Sequence, residues 1–197
     1  MAPTLEDVTE AEVQDAAPYL GMPITEKKLM RLPDDGFLYE LVDGRLAGQP
    51  CKPFLAGIIT VNIVGLMGPY ARGHGIMTLG KAGFRMANGS IRVPSTSYTR
   101  KGRFPGGHAP DTFGDLAPDL CVDIISPSEK RADMARKVRE YFDGGAVQVW
   151  HVFPERQQVT VFTSPTDMQT LGADGILDAG GLLPGFSCRV ADLFILE

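Results

Sequence analysis

Asp123 stands where a carboxylate is costly. It lies in the apolar run Leu120-Cys121-Val122-Asp123-Ile124-Ile125, and an acid inside such a strand costs several kcal/mol unless it is paired or holds a metal. Lys137 follows on the next predicted helix, near enough in the chain to fold back toward the strand. A strand carboxylate with a lysine nearby is the arrangement expected of metal-dependent phosphodiester cleavage. Plainer readings stand beside it: Asp123 as a buried structural acid paired to Lys137 or an arginine, and Lys137 as a helix lysine that snorkels to solvent. Glu40, in Leu38-Tyr39-Glu40-Leu41-Val42, reads on its own as a solvated strand residue.

Other chemistries have less support. His74, His108 and His151 form no pair with metal-ligand spacing, and no HExxH occurs. There is no phosphate-binding P-loop and no GxGxxG. Ser126 and Ser128 lack a nearby histidine or a GxSxG elbow, which argues against serine hydrolase chemistry. Cys51, Cys121 and Cys188 are far apart and make no CxxC pair, so they read as buried thiols.

The elements that must position these residues follow from the pattern. Leu120, Val122 and Ile124 fall on one strand face, with Cys121, Asp123 and Ile125 on the other. Pro118 marks the start of that strand. Ser126-Pro127-Ser128 marks its end, with Ser128 as N-cap of a helix running to Phe142. Met134, Val138, Tyr141 and Phe142 make the buried stripe of that helix, with Lys137 on its flank. Val147–Phe153 and Gln158–Thr163 read as a hairpin. Ile24–Leu32 reads as a helix capped by Thr25. Leu38–Val42 and Arg45–Ala47 read as two strands about an Asp43-Gly44 turn.

Phe54–Tyr70 reads as a long apolar helix, and strands are expected near Ile76–Leu79, Ala82–Met86 and Ser90–Val93. Residues 99–118 read as an unusually long loop. The apolar segment Leu182–Phe186 precedes a short terminal helix. The expected order is a mixed sheet flanked by helices, with residues 1–22 a weakly ordered lead-in holding a short helix from Leu5 to Ala17, and residues 23–197 one domain.

Bulk properties set the class. With 197 residues, 44% hydrophobic and 22% charged, the composition is that of a soluble globular chain. No apolar run approaches the length of a membrane span, and the acidic start lacks a signal pattern, so a cytoplasmic protein without a membrane segment is expected. The net charge of −5 hides an asymmetry. From Gly44 to Pro110 there is no Asp or Glu, but there are Arg45, Lys52, Arg72, Lys81, Arg85, Arg92, Arg100, Lys101 and Arg103. Two readings remain open: a surface for a polyanion, or bases that pair with the acidic remainder of the fold.

An ordered set of short motifs resembles the Uma2 family of endonucleases (DUF820), in the PD-(D/E)XK nuclease superfamily. It comprises Tyr39-Glu40-Leu41-Val42-Asp43-Gly44, Gly83-Phe84-Arg85, Arg92-Val93-Pro94, and Ala117 through Ser128. It continues with Lys137, Tyr141, Gly145, Val149-Trp150-His151-Val152 and Leu183-Pro184-Gly185-Phe186. The resemblance implies an α/β (α+β) fold with a restriction-endonuclease-like core and a mixed central β-sheet flanked by helices. It also implies homodimers, for which Leu182–Phe186 offers an apolar face, and DNA as partner.

The implied centre is Asp123 as metal-holding catalytic acid, Lys137 serving the water, and Glu40 assisting, with Mg²⁺ or Mn²⁺ as cofactor. Arg72, Lys81, Arg85, Arg92, Arg100, Lys101 and Arg103 would hold phosphates.

The chain departs from the family pattern. After Pro94 the family has an Asp, whereas this chain has Ser95, a neutral and weak metal ligand. Asp123 replaces the usual Glu. Phe54 and Leu55 stand near where the family often has a His. Asp111, Asp115 and Asp119 are the acids near enough in sequence to substitute. Two functions are carried forward: a metal-dependent DNA endonuclease short of one acid, and a catalytically inactive pseudo-nuclease that binds nucleic acid or a protein partner.

Overall fold

The structure, a computed structural model, describes residues 17–50 and 53–196. The expected N-terminal helix, apart from its last residue Ala17, lies outside them, as does Cys51. Among the described residues, a 3-10 turn at Ala17–Tyr19 precedes a short helix α1 (Glu26–Leu29). Thr25 caps it as expected, its hydroxyl accepting the Lys28 N–H at 3.3 Å. The hairpin β1 (Phe37–Val42) and β2 (Arg45–Pro50) turns at Asp43-Gly44. Both residues have positive φ, 50° and 71°, as a tight two-residue hairpin turn requires.

Helix α2 (Phe54–Ala71) extends the expected apolar helix by one residue. It is long and apolar enough to cross a membrane by length and composition. Its Ala56, Ile59, Ile63, Met67 and Ala71 nevertheless form a 3.6-period stripe inside the core.

Strands β3 (Gly75–Leu79), β4 (Phe84–Arg85), β5 (Ile91–Arg92) and β6 (Thr96–Arg100) follow. Then come β7 (Leu120–Ile124), α3 (Arg131–Asp143), β8 (Gln148–Phe153) and β9 (Gln158–Phe162). Strands β10 (Met168–Leu171), β11 (Ile176–Asp178) and β12 (Ser187–Arg189) close the chain, with a 3-10 turn over Val190–Phe194.

The main sheet is mixed, in the order β10-β9-β8-β7-β6-β3, and a smaller sheet runs β2-β1-β5-β4. β7 and β8 are the parallel pair, joined by α3 as a parallel crossover requires. One face of the main sheet packs Leu120, Val122, Ile124, Trp150 and Val152 against α2. The other packs Cys121 and Val149 against Val138 and Tyr141 of α3.

Three local expectations change. β6 is a full strand where the sequence suggested that a loop begins at Thr99. It is buried between β3 and β7, so tertiary pairing recruits it. Helix α3 starts at Arg131, with Lys130 in the cap position and no side-chain cap bond. The Ser128 hydroxyl instead faces that of Ser126 at 3.0 Å, and Glu129 accepts the Ser126 N–H at 2.9 Å. The segment Leu182–Phe186 is not a free apolar face, because Leu182, Leu183 and Phe186 are buried in the chain's own core.

Candidate active site

The two sheets meet at the segment from Arg92 to Thr96. Leu41 of β1 pairs with Ile91 of β5, and four residues past Arg92 the chain enters β6, where Thr96 pairs with Val122 of β7. This short span brings Glu40 from one sheet to Asp123 of the other. α3 supplies Lys137, Glu140 and Tyr141, which share one helix face by their spacing.

Lys137 Nζ lies 3.2 Å from Asp123 Oδ1 and 3.2 Å from Glu40 Oε1, and it donates to the Val93 carbonyl at 3.5 Å. Glu40 is therefore not a solvated strand residue. Its side chain is 13% exposed. Oε1 accepts the Val93 N–H at 2.7 Å and Oε2 faces Arg92 Nη1 at 2.9 Å. Burial alone would raise the Glu40 pKa; Lys137, Arg92 and the Val93 N–H outweigh it and hold the carboxyl below its ordinary value. Burial likewise opposes the Lys137 charge, but Asp123 and Glu40 raise its pKa. Flanked by two carboxylates, Lys137 is an ammonium that offers charge and hydrogen bonds.

Arg92 is buried and extends the network. Its Nε lies 2.5 Å from Glu140 Oε2, and Asn88 Nδ2 donates to Glu140 Oε1 at 3.2 Å. Glu140 was missed by the sequence reading. Its signal was an acid one turn past Lys137, beside the apolar stripe.

Ser95 sits in the bend just before β6, next to the end of β7 that carries Asp123. Its hydroxyl accepts the Ile124 N–H at 3.1 Å, so it works as a ladder acceptor and brings no charge. The candidate substitutes lie elsewhere. Asp119 is at the opposite end of β7, held by Arg100 Nη2 and Arg103 Nη1, each at 2.7 Å. Asp115 pairs with Arg85. Asp111 is exposed beside the loop near Phe113.

The residues expected to hold phosphates are dispersed. Lys81 pairs with Asp34 at 2.6 Å, Arg85 with Glu26 and Asp115, and Arg92 with Glu40 and Glu140. Arg72, at the C-terminal end of α2, and Lys101, just after β6, are exposed. The base-rich stretch thus finds much of its counter-charge inside the fold. The cleft over the Glu40–Lys137 centre, about 360 Å³, is lined instead by Lys130 and Arg136 together with Arg92 and Lys137.

Glu40, Asp123 and the Val93 carbonyl direct oxygens at one point, and carboxylate and carbonyl oxygens are the ligands Mg²⁺ and Mn²⁺ take. The residues present fit such an ion at two carboxylates. Among the described residues, no third His, Cys, Asp or Glu joins them.

Comparisons with known proteins agree with this architecture. One solved structure, titled as a "putative nuclease belonging to DUF820" from Anabaena variabilis ATCC 29413, superposes with a TM-score of 0.75. The match is 18% identical and covers 87% of this chain and 98% of that one. No curated protein matches. The model of the Uma2 family, described as "Putative restriction endonuclease", matches residues 27–191. With a centre of this composition on a fold of this order, the chain belongs to the Uma2 family.

Proposed function

We propose that this chain is an endonuclease of the Uma2 type, which hydrolyses phosphodiester bonds of DNA with Mg²⁺ or Mn²⁺ at the Glu40–Asp123–Lys137 centre. One observation carries the reading: carboxylates from two different sheets and the lysine of α3 meet within 3.2 Å under a cleft open to solvent. Glu40 and Asp123 are the residues that would hold the ion. When bound, it supplies a Lewis acid for the phosphate and a more acidic water. Lys137 places positive charge where the phosphorane-like charge develops. Arg92 and the Val93 N–H fix the Glu40 carboxylate. Lys130 at the cleft is the cation best placed to hold a flanking phosphate, while Arg136 shares its charge with Asp43 at 2.7 Å.

Ser95 favours a second reading. With a hydroxyl where the family has an acid, and an ammonium between the remaining two, the same fold serves as a pseudo-nuclease that binds nucleic acid or a protein without cutting.

The test is supercoiled plasmid with Mn²⁺ and an EDTA control, using wild type, Ser95→Asp and Lys137→Ala. Cleavage by wild type that EDTA and Lys137→Ala both abolish establishes the endonuclease. A silent wild type beside an active Ser95→Asp establishes the disarmed scaffold. Silence from all three removes the catalytic reading.

The proposed assembly is a homodimer, and a monomeric mass by light scattering would rule it out. The proposed setting is the cytoplasm, supported by the free, buried thiols of Cys121 and Cys188.

A further inference from the structure

Three oxygens surround the Lys137 ammonium. Glu40 Oε1 and Asp123 Oδ1 each lie at 3.2 Å, and the Val93 carbonyl lies at 3.5 Å. They come from β1, β7 and the link between β5 and β6, three separately anchored parts of the fold. Two ionised carboxylates and a backbone carbonyl are also what a hard divalent cation seeks. The ammonium is a compact charge on a flexible four-carbon stem, so it can enter such a cradle and can also leave it. A divalent ion at the point where the three oxygens converge would stand on the position of Lys137 Nζ, so the two cations exclude each other there.

We propose that Lys137 and the divalent ion compete for this single oxygen cradle, so that metal binding requires the lysine to swing out. The inference rests on the reading of Glu40, Asp123 and Lys137 as a nuclease-type centre. It adds that this chain's lysine is an internal competitor of the metal.

The charge pattern explains why the competition favours lysine here. Glu40 already shares its second oxygen with Arg92 at 2.9 Å, and Glu140 balances Arg92 from the other side at 2.5 Å. An acid at position 95 would add a negative charge beside Asp123, too close to Lys137 to be matched by one ammonium. Ser95 adds none, and its hydroxyl is engaged by the Ile124 N–H at 3.1 Å. The serine and the inserted lysine are thus two aspects of one arrangement, a carboxylate pair closed by a side-chain cation.

Two measurements on the full chain test this. The first is Mn²⁺ binding, read from the loss of the free-ion paramagnetic resonance signal, for wild type, Lys137→Met, Ser95→Asp and Asp123→Asn. Lys137→Met is expected to bind Mn²⁺ about tenfold more tightly than wild type or better, because no ammonium has to be displaced. Ser95→Asp is expected to bind more tightly as well, and Asp123→Asn to bind least. Binding by Lys137→Met equal to or weaker than wild type overturns the competition while leaving the nuclease-type centre standing. Absence of binding in every variant, Ser95→Asp included, overturns both.

The second measurement needs no variant and so survives a misfolded Lys137→Met. Wild type is labelled with an amine-reactive reagent, with and without millimolar Mg²⁺, and the modification of Lys137 is read by mass spectrometry. A several-fold rise with Mg²⁺ is expected as the ammonium leaves the carboxylates for the open cleft that Lys137 lines. Unchanged or reduced labelling at a Mg²⁺ concentration that binds overturns the proposal.

Discussion

Arg92 and Glu140 form a buried ion pair, Nε to Oε2 at 2.5 Å, that clamps β5 to α3. Arg92 reaches Glu40 from its other side at 2.9 Å, so one guanidinium sets the position of a carboxylate that lines the cleft. The candidate centre is therefore held by a chain of alternating charges from α3 to β1, and Arg92 acts as a positioning residue.

Removing one member of that chain leaves its partners as uncompensated buried charges, which typically costs about 3–5 kcal/mol. Arg92→Ala is expected to lose stability of that order in urea denaturation. A loss below about 1 kcal/mol would show that Glu40 and Glu140 find other partners or solvent.

Acid should undo the same network through Glu40. Its folded pKa lies below the ordinary value of 4.5, because Lys137, Arg92 and the Val93 N–H outweigh burial. A depressed carboxylate stabilises the fold fully above its unfolded pKa, and that stability is lost as pH falls through the folded pKa. Wild-type stability should thus decline on acidification below the ordinary carboxylate range. Glu40→Gln should be less stable at neutral pH and show a shallower decline. Parallel acid profiles for the two proteins would contradict this assignment.

Ser95→Ala removes an acceptor of the Ile124 N–H at the end of β7. The loss of one hydrogen bond costs about 0.5–1.5 kcal/mol, so the melting temperature should fall by a few degrees. An unchanged melting temperature would mean that water or a neighbouring group takes over the bond.

Asp119 is fully buried and gathers Arg100, Arg103 and the Arg100 N–H, and Arg103 also donates to the Ala117 carbonyl at 3.2 Å. This carboxylate ties down the ends of the long connection between β6 and β7. Asp119→Asn should cost about 1–3 kcal/mol, as expected for weakened charge-assisted bonds. It should also speed proteolytic cleavage between residues 101 and 118, checked by limited proteolysis with mass spectrometry. Unaltered cleavage kinetics would show that the loop is held by its apolar contacts instead.

Much of this organisation is legible in the sequence itself. The Asp43-Gly44 turn, the apolar helix from Phe54, the strand carrying Asp123 and the helix carrying Lys137 rest on local signals: turn conformation, 3.6-residue spacing and alternation. Lys137 is close to Asp123 in sequence, so their meeting at 3.2 Å follows from one strand-to-helix connection. The ordered motifs of the family were also readable, including the neutral residue at Ser95.

The environment of Glu40 was not, because its partners Arg92 and Val93 lie some fifty residues away and reach it through pairing of β1 with β5. The same holds for the base-rich stretch. Whether Lys81, Arg85, Arg92, Arg100 and Arg103 face a polyanion or an internal acid depends on which carboxylates come within a few ångströms. Asp34, Glu26, Glu40, Glu140 and Asp119 arrive there through strand pairing and helix packing. Charge in a sequence is a property of residues, but its neutralisation depends on distance and burial, which are established when the two sheets and α3 close around the Arg92–Thr96 link.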